Sequence, residues 1–271
     1  HHAGLAILRR RSEQKDQWFA SLRIPPAIYR PIQIDAMHAD IWVNGCNIAI
    51  DPGTYRYNAS GAWATIPLAL GRSHNVIVSG DQDLAKRAGR FLYVPWPRVV
   101  VDDVAAVLPS DDSSFQCEFG RPIGRIKRWN RKFAFTENGA EVTDRLECQP
   151  DCPISVRWQL VDGEIVSDSF PSNPEATDTA VFVWRTPVGT VEASFQSDLS
   201  SISIEHTRGG GASRDPAAGW YAPRYGELAP CHSLNVQTSN GSATQLTITS
   251  RFRLIEPPAV CDSSKSVKEA T

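Results

Sequence analysis

The residues best placed for chemistry are His38, Asp51 and His74. The stretch from His38 to Asp51 reads His-Ala-Asp-Ile-Trp-Val-Asn-Gly-Cys-Asn-Ile-Ala-Ile-Asp, with Asn44-Gly45 at its centre. Asn and Gly both tolerate positive φ, which the favoured two-residue hairpin turns demand. A turn at Asn44-Gly45 pairs Val43 with Cys46 and brings His38 opposite Asp51. Side chains at opposed positions share a face, with Cβ atoms about 4.5–5.5 Å apart. Ala39, Ile41, Val43, Cys46, Ile48 and Ile50 then form one apolar face, and His38, Asp40, Trp42, Asn47, Ala49 and Asp51 take the other. A slip of one residue would mix isoleucines with carboxylates, so this register is favoured.

His74 opens a second strand-like run, His74-Asn75-Val76-Ile77-Val78. Two imidazoles and one carboxylate suit zinc with a fourth, open position. Asp40 is placed to orient a liganding histidine from behind. Spacing alone leaves a plainer alternative, in which His38 and Asp51 hydrogen-bond across the strands and His74 satisfies a loop carbonyl. A third arrangement, His38, Asp40 and His74 as the two-histidine, one-carboxylate set of a non-haem iron site, fits the spacing less well. His206 and His232 have no carboxylate spacing that assigns them a role.

The elements that must position these residues read as strands. Asn44-Gly45, Asn138-Gly139, Asp162-Gly163 and Asn240-Gly241 carry hairpin-turn chemistry. Between them lie short β-branched and aromatic runs: 75–78, 98–101, 123–129, 132–136, 154–160, 181–184 and 246–254. Helical signals are confined to a turn or two over 83–89 and a short turn over 216–219. The pattern predicts an all-β fold, a large antiparallel β-sandwich of two or more layers with little helix. Residues 1–271 are expected to form one domain, with His1-His2 as tag residues, a flexible loop around 208–216 and a fraying tail over 261–271.

Composition sets bounds on function. The 28 basic and 30 acidic side chains leave a net charge of −2, without the basic footprint of a nucleic-acid binder. No apolar run approaches the roughly 20 residues of a membrane helix, and no signal-peptide pattern opens the chain. The six cysteines, 46, 117, 148, 152, 231 and 261, form no CxxC pair or Cys/His cluster. Cys148 and Cys152 are close enough to bridge, but buried free thiols are the expected state.

Several blocks in order resemble the heparinase II/III-like polysaccharide lyase family: 33–40, Asp51-Pro52-Gly53-Thr54-Tyr55-Arg56-Tyr57, Ser73-His74-Asn75-Val76 with Gln82, and Trp220-Tyr221-Ala222-Pro223-Arg224-Tyr225-Gly226-Glu227. The family pattern runs Gly-His-x-His-x-Asp, then Asp-x-Gly and a tyrosine, then His-Asn and a hydrophobic residue. The resemblance implies a C-terminal β-sandwich whose His38, Asp51 and His74 hold a mainly structural zinc. It also implies an α/α toroid as partner domain, an acidic uronate polysaccharide such as a glycosaminoglycan as substrate, and a periplasmic or secreted location. Nothing before Gln33 can form a ring of helices, so the toroid is expected to be absent from this chain and the chain inactive alone. Asp35 and Ala36 depart from the pattern at its glycine and its first, catalytic histidine. Tyr55, Tyr57, Trp63 and Arg72 form a candidate sugar-stacking and carboxylate-binding surface, with packing at the sandwich edge as the alternative. Trp220, Tyr221 and Tyr225 are expected to pack at an edge. The alternative for the whole chain is a non-catalytic module that binds carbohydrate or packs against another domain.

Overall fold

The computed structural model describes residues 4–10, 16–25, 30–101, 114–169, 179–199, 202–210 and 217–257. The expected tag, most of the 208–216 loop and the expected tail therefore lie outside the described residues. Two eight-stranded antiparallel sheets dominate. The first runs β1 (Leu5–Arg10), β2 (Trp18–Arg23), β3 (Ala39–Val43), β4 (Cys46–Ala49), β12 (Pro153–Leu160), β19 (His232–Ser239) and β16 (Ser203–Arg208), with β5 (Ile77–Val78) also on β12. The second runs β13 (Glu164–Ser169), β14 (Thr179–Thr186), β15 (Gly189–Ser197), β20 (Gln245–Glu256), β11 (Gly139–Cys148), β10 (Ile126–Thr136), β9 (Ser114–Phe119) and β8 (Val99–Val100). Two small ribbons complete the set, β6 (Lys86–Gly89) with β7 (Leu92–Val94) and β17 (Trp220–Tyr221) with β18 (Ala229–Pro230).

Alternation explains why the layers stack. In β10 the inward positions Trp129, Arg131 and Phe133 are buried while Lys132 is exposed. In β12 and β20 the inward Trp158 and Phe252 meet edge to face at 4.7 Å, closing one sheet over the other. The Trp158 indole N–H donates to Ser250 Oγ at 3.1 Å, so its polar edge is satisfied between the layers.

The all-β expectation holds, and its errors are local. Residues 83–89 do not form a helical turn: Lys86–Gly89 pairs with Leu92–Val94 as a ribbon. So short a segment cannot offset helix nucleation, whereas a pairing partner lies just past its turn. Helix is confined, among the described residues, to three 3-10 turns, Gly61–Thr65, Pro67–Ala69 and Gly71–Ser73. Of the four turn dipeptides, only Asn44-Gly45 closes a hairpin as placed, with φ of 48° and 82°. The next turn sits one residue early, on Glu137-Asn138, with Thr136 paired to Gly139. Asp162-Gly163 and Asn240-Gly241 lie between strands of different sheets and join layers rather than neighbours.

The first hairpin also departs from its expected register. Val43 pairs with Cys46 and Trp42 with Asn47, but Ile41 pairs with Ala49, so a bulge intervenes. Ile48, Ala49 and Ile50 are consequently all buried. His38 is not directly across the ladder from Asp51, because β4 ends at Ala49 and the Ile50 N–H turns to Gln159 O at 2.8 Å.

One polar pair lies within the apolar layer. Arg131 and Asp144 face each other across β10 and β11, both with no exposed surface. Arg131 Nε and Nη2 donate to Asp144 Oδ1 and Oδ2 at 2.7 and 2.9 Å, and the Trp129 indole N–H donates to Oδ1 at 2.6 Å. Removing one member of such a pair strands the other charge, so Arg131→Met should cost about 3–5 kcal/mol in urea unfolding. Arg185→Ala, which breaks the exposed pair with Glu164, should cost less than about 0.5 kcal/mol. Equal losses would show that the buried pair has no special weight.

Candidate functional site

His38 precedes β3, Asp51 follows β4, and His74 closes the last 3-10 turn. The structure brings all three together. His38 Nε2 and His74 Nε2 each lie 4.0 Å from Asp51 Oδ2, and the imidazoles meet edge to face with centroids 5.3 Å apart. Both histidines are fully buried. His38 Nε2, His74 Nε2 and Asp51 Oδ2 are buried without a hydrogen-bond partner. Three orphaned polar atoms turned toward one point are unusual, because buried polar groups are nearly always satisfied.

The remaining atoms of each side chain are committed. The Gly53 N–H donates to Asp51 Oδ1 at 2.7 Å, leaving Oδ2 for the centre. His74 Nδ1 lies 2.9 Å from Leu70 O, so its N–H donates there and its Nε2 lone pair points inward. The plainer reading of His74 as satisfying a loop carbonyl is thus correct for one nitrogen and silent on the other. His38 Nδ1 accepts the Asn75 N–H at 2.9 Å, which places its own proton on Nε2. Burial lowers the proton affinity of His38, but the nearby charge of Asp40, with those of Asp51 and Asp35 beyond, outweighs it and raises the pKa.

Asp40 lies on the same side of His38 as Asp51, its Oδ1 3.6 Å from Nε2 against 4.0 Å for Asp51 Oδ2. Ser21 Oγ and Asn47 Nδ2 donate to it at 3.0 and 3.3 Å. Desolvation opposes its ionisation, but His38, Asn47 and Ser21 bring its pKa down to about 2. Ser21 and Asn47 thus hold this carboxylate in place beside His38 Nε2.

The donor set, N/N/O, suits zinc. Ligands of a tetrahedral zinc stand about 3.3–3.4 Å apart, slightly closer than the 4.0 Å spacings here. Among the described residues no group of three or more His, Cys, Asp or Glu side chains is arranged so that it could hold a metal ion as it stands. Holding a metal there would require the His38 proton to move from Nε2 to Nδ1, breaking the Asn75 N–H bond, and the donors to close by about 0.6–0.7 Å.

Two residues outside the expected set hold this centre. Asn75, fully buried, donates from Nδ2 to Ala39 O at 2.9 Å and Ile50 O at 3.3 Å, and its Oδ1 accepts the Gln159 N–H at 2.6 Å. It therefore ties the His38, Asp51 and β12 segments to its own, next to His74. Arg131 donates from Nη1 to Met37 O at 2.8 Å and Asn75 O at 2.5 Å, fixing the main chain beside both histidines. The cue for Arg131 was an inward register between Trp129 and Phe133; for Asn75 it was adjacency to His74.

The surface residues divide. Tyr55 meets Trp63 at 5.2 Å and Arg56 lies over the Tyr55 ring at 5.2 Å. Tyr57 contacts Phe91 at 5.2 Å and Tyr225 at 5.6 Å, and all three are exposed. Arg72 is exposed beside the half-buried Asp83, whose pKa is raised by desolvation despite that guanidinium. Ala36 is buried with no exposed surface. The 220–227 block packs on the 52–57 loop: Ala222 N–H donates to Pro52 O at 2.7 Å and Gly226 N–H to Tyr55 O at 2.9 Å. Gly53, at φ 70°, is obligatory there, since a Cβ would lie 2.6 Å from Ala222 O. Beside it opens a hollow of about 430 Å³ lined by Trp42, Asn47, Ile50, Asp51, Tyr221 and Pro223. Trp42 and Tyr221 as its aromatic walls were not anticipated.

His206 and His232, given no role by their spacing, form a second pair. His206 Nε2 lies 3.0 Å from His232 Nδ1, His232 Nε2 lies 3.0 Å from Gly163 O, and Phe182 packs on both rings.

The chain is a two-sheet antiparallel sandwich in which His38, Asp51 and His74 converge beside the first hairpin. The chain belongs to the heparinase II/III-like, C-terminal family, whose pattern matches residues 1–251. Its fold is similar to that of the heparinase III BT4657 gene product, at a TM-score of 0.66 and 14% identity, over 95% of this chain and 36% of that one. It is similar to heparan sulfate lyase HepC from Pedobacter heparinus, at a TM-score of 0.65 and 14% identity, over 94% of this chain and 36% of that one. The chain thus spans about a third of the length of these structures. No curated protein sequence matches it. No helix among the described residues is long and apolar enough to cross a membrane.

The histidine pair generates a pH dependence. Burial lowers the pKa of His206, assisted by the charge of His232, and burial likewise lowers that of His232. The unfolded chain then takes up protons first as pH falls below about 6.5. Stability should be full above that pH and fall with further acidification toward the depressed folded values. Urea midpoints measured from pH 8 to 5 should show this drop, and a double replacement of His206 and His232 by Gln should flatten it. An unchanged slope in that variant would refute the assignment.

Proposed function

We propose that this domain is the β-sandwich support of a polysaccharide lyase cleft, with zinc held structurally by His38 Nε2, Asp51 Oδ2 and His74 Nε2. The observation that carries the reading is the convergence of three buried, partnerless polar atoms from three separate segments. Bound there, zinc would supply a charge that locks these segments together rather than an activated water. Asp51 would pin the 52–57 loop through Gly53, and Asn75 and Arg131 would keep both histidine segments from drifting.

The parent protein would cleave an acidic, uronate-bearing polysaccharide by β-elimination, in a periplasmic or secreted setting. Such chemistry requires a donor that neutralises the uronate carboxylate and a base within reach of the C5 proton. The share of length covered in HepC and heparinase III supports a further domain, an α/α toroid, as the source of both. Trp42, Tyr221 and Asp51 around the hollow, with Tyr55, Tyr57 and Trp63 outside it, would face the sugar from this side. The buried Ala36, where the family pattern has a histidine, favours a second reading: a module that binds carbohydrate or packs on a partner without taking part in catalysis.

Two measurements test the proposal. Metal analysis of the purified chain should find about one zinc, and a metal-free chain from zinc-supplemented buffer would remove the site. Asp51→Ala should reduce zinc to less than about a tenth of that content; wild-type zinc in this variant would remove Asp51 from the site. The isolated chain should yield no ultraviolet-absorbing unsaturated product from any uronate polymer, and such a product would overturn the supporting role. Titration with uronate oligosaccharides separates the second reading, tight binding by the isolated chain favouring a module and no binding favouring packing.

A further inference from the structure

Outside the histidine site, the crossover from β11 to β12 holds a pair of nucleophilic side chains that no role yet explains. Cys148 ends β11 in the second sheet and Cys152 precedes β12 in the first. Both are fully buried, both are free thiols, and they hydrogen-bond to one another. Only Gln149, Pro150 and Asp151 separate them.

The surrounding chain holds both cysteines against one turn. Cys148 N–H donates to Thr244 O at 2.8 Å and Asp151 N–H to Gly241 O at 2.6 Å. Asn240 receives the Cys152 N–H on Oδ1 at 2.7 Å and donates from Nδ2 to Gln149 O at 3.0 Å. Asp151 takes the left-handed conformation, φ 53°, that lets so short a loop reverse. The thiols are thus gathered by backbone bonds that do not depend on sulfur chemistry.

We propose that Cys148 and Cys152 are a dithiol site that closes to a disulfide, a covalent staple between the two sheets. The loop's environment assigns the order of events. Arg125 donates to Pro150 O at 2.5 Å and sets its positive charge over the loop, and Ser79 Oγ lies 3.4 Å from Cys152 Sγ. The hydrogen bond from Cys148, together with Ser79 and the Arg125 charge, outweighs desolvation and lowers Cys152 to about 6, while the same contact and burial raise Cys148. Cys152 is therefore the attacking thiolate.

A low-molecular-weight disulfide such as oxidised glutathione is the electron acceptor, reaching the buried Cys152 when the exposed 149–151 turn opens. Cys152 Sγ attacks one glutathione sulfur and expels the other half as a thiolate. Cys148, surrendering its proton, then attacks Cys152 Sγ and expels the second half. The protein loses two hydrogens and two electrons, and one glutathione disulfide becomes two thiols. Cys152 also contacts Ser79, which follows β5 and whose Oγ accepts the Arg125 N–H.

Trypsin reports on the site directly, because Arg145 and Arg157 bracket both cysteines within one peptide, 146–157. After native chain is incubated with excess oxidised glutathione and residual thiols are alkylated under denaturing conditions, this peptide should be lighter by about two mass units and carry no alkyl group. The oxidised chain should melt about 3–6 °C above the reduced one. Cys148→Ser and Cys152→Ser should each abolish the internal bridge, and Cys148→Ser should trap the glutathione adduct on Cys152. A peptide that remains doubly alkylated in wild-type chain, a bridge to Cys46, Cys117 or Cys231 instead, or an oxidised chain that melts no higher than the reduced one would overturn the proposal.

Discussion

The guanidinium of Arg131 is the interaction on which the site's geometry depends. It rises from the second sheet, is neutralised by Asp144 directly across the ladder, and spends its remaining Nη1 donors on Met37 O and Asn75 O. Those carbonyls belong to the residue before His38 and the residue after His74. A buried charge tolerates little displacement, because every ångström lost to a partner is uncompensated by water. Sheet packing therefore sets the separation of the two imidazoles, and the local conformation of each loop is a consequence. Met37 accepts a left-handed φ of 64° under this constraint, a conformation that a methionine does not adopt unaided.

Asn75 completes the same logic from the first sheet. Its carboxamide meets Ala39 O, Ile50 O and the Gln159 N–H, while its backbone N–H meets His38 Nδ1. Four segments that are remote in sequence are linked through one side chain with no exposed surface. Among the described residues other buried side-chain atoms also lack a hydrogen-bond partner, Asn47 Oδ1 and Asp83 Oδ2 included, but here three such atoms from three separate segments face one another.

The sequence made the class of fold legible because alternation survives in long strands such as β10, β12, β14 and β20. The joining of the layers was less legible. Asp162-Gly163 and Asn240-Gly241 have the same composition as Asn44-Gly45, yet they bridge sheets, because which strand follows a turn is decided by packing rather than by the turn. At the site, His38, Asp51 and His74 were readable as types and spacing, but the reason first given for their meeting was incomplete. A bulge at Ile48 shifts the ladder, and β12 draws Ile50 away from β3. Asp51 reaches the histidines as the end of a departing strand and not as a cross-strand partner. Arg131 was readable only as an inward register, which is commonly apolar, and the hollow behind Trp42 and Tyr221 needed the 220–227 block to fold onto the 52–57 loop.

The burial of the centre limits what it can do. His38 and His74 have no exposed surface, and their free nitrogens point at each other's carboxylate partner instead of at solvent. Neither can present a proton acceptor to a sugar ring outside. Asp51 alone spans the boundary, its side chain one-quarter exposed, with Oδ2 on the histidines and Oδ1 on the Gly53 N–H. A cation held within would act outward by a single route: through Asp51 to Gly53, and from there to the loop that carries Tyr55 and Tyr57. That loop is already clasped by Ala222 and Gly226, so stiffening one end would stiffen the aromatic surface on both. Under the proposed function, a metal there would shape the wall of the cleft and would not touch the sugar.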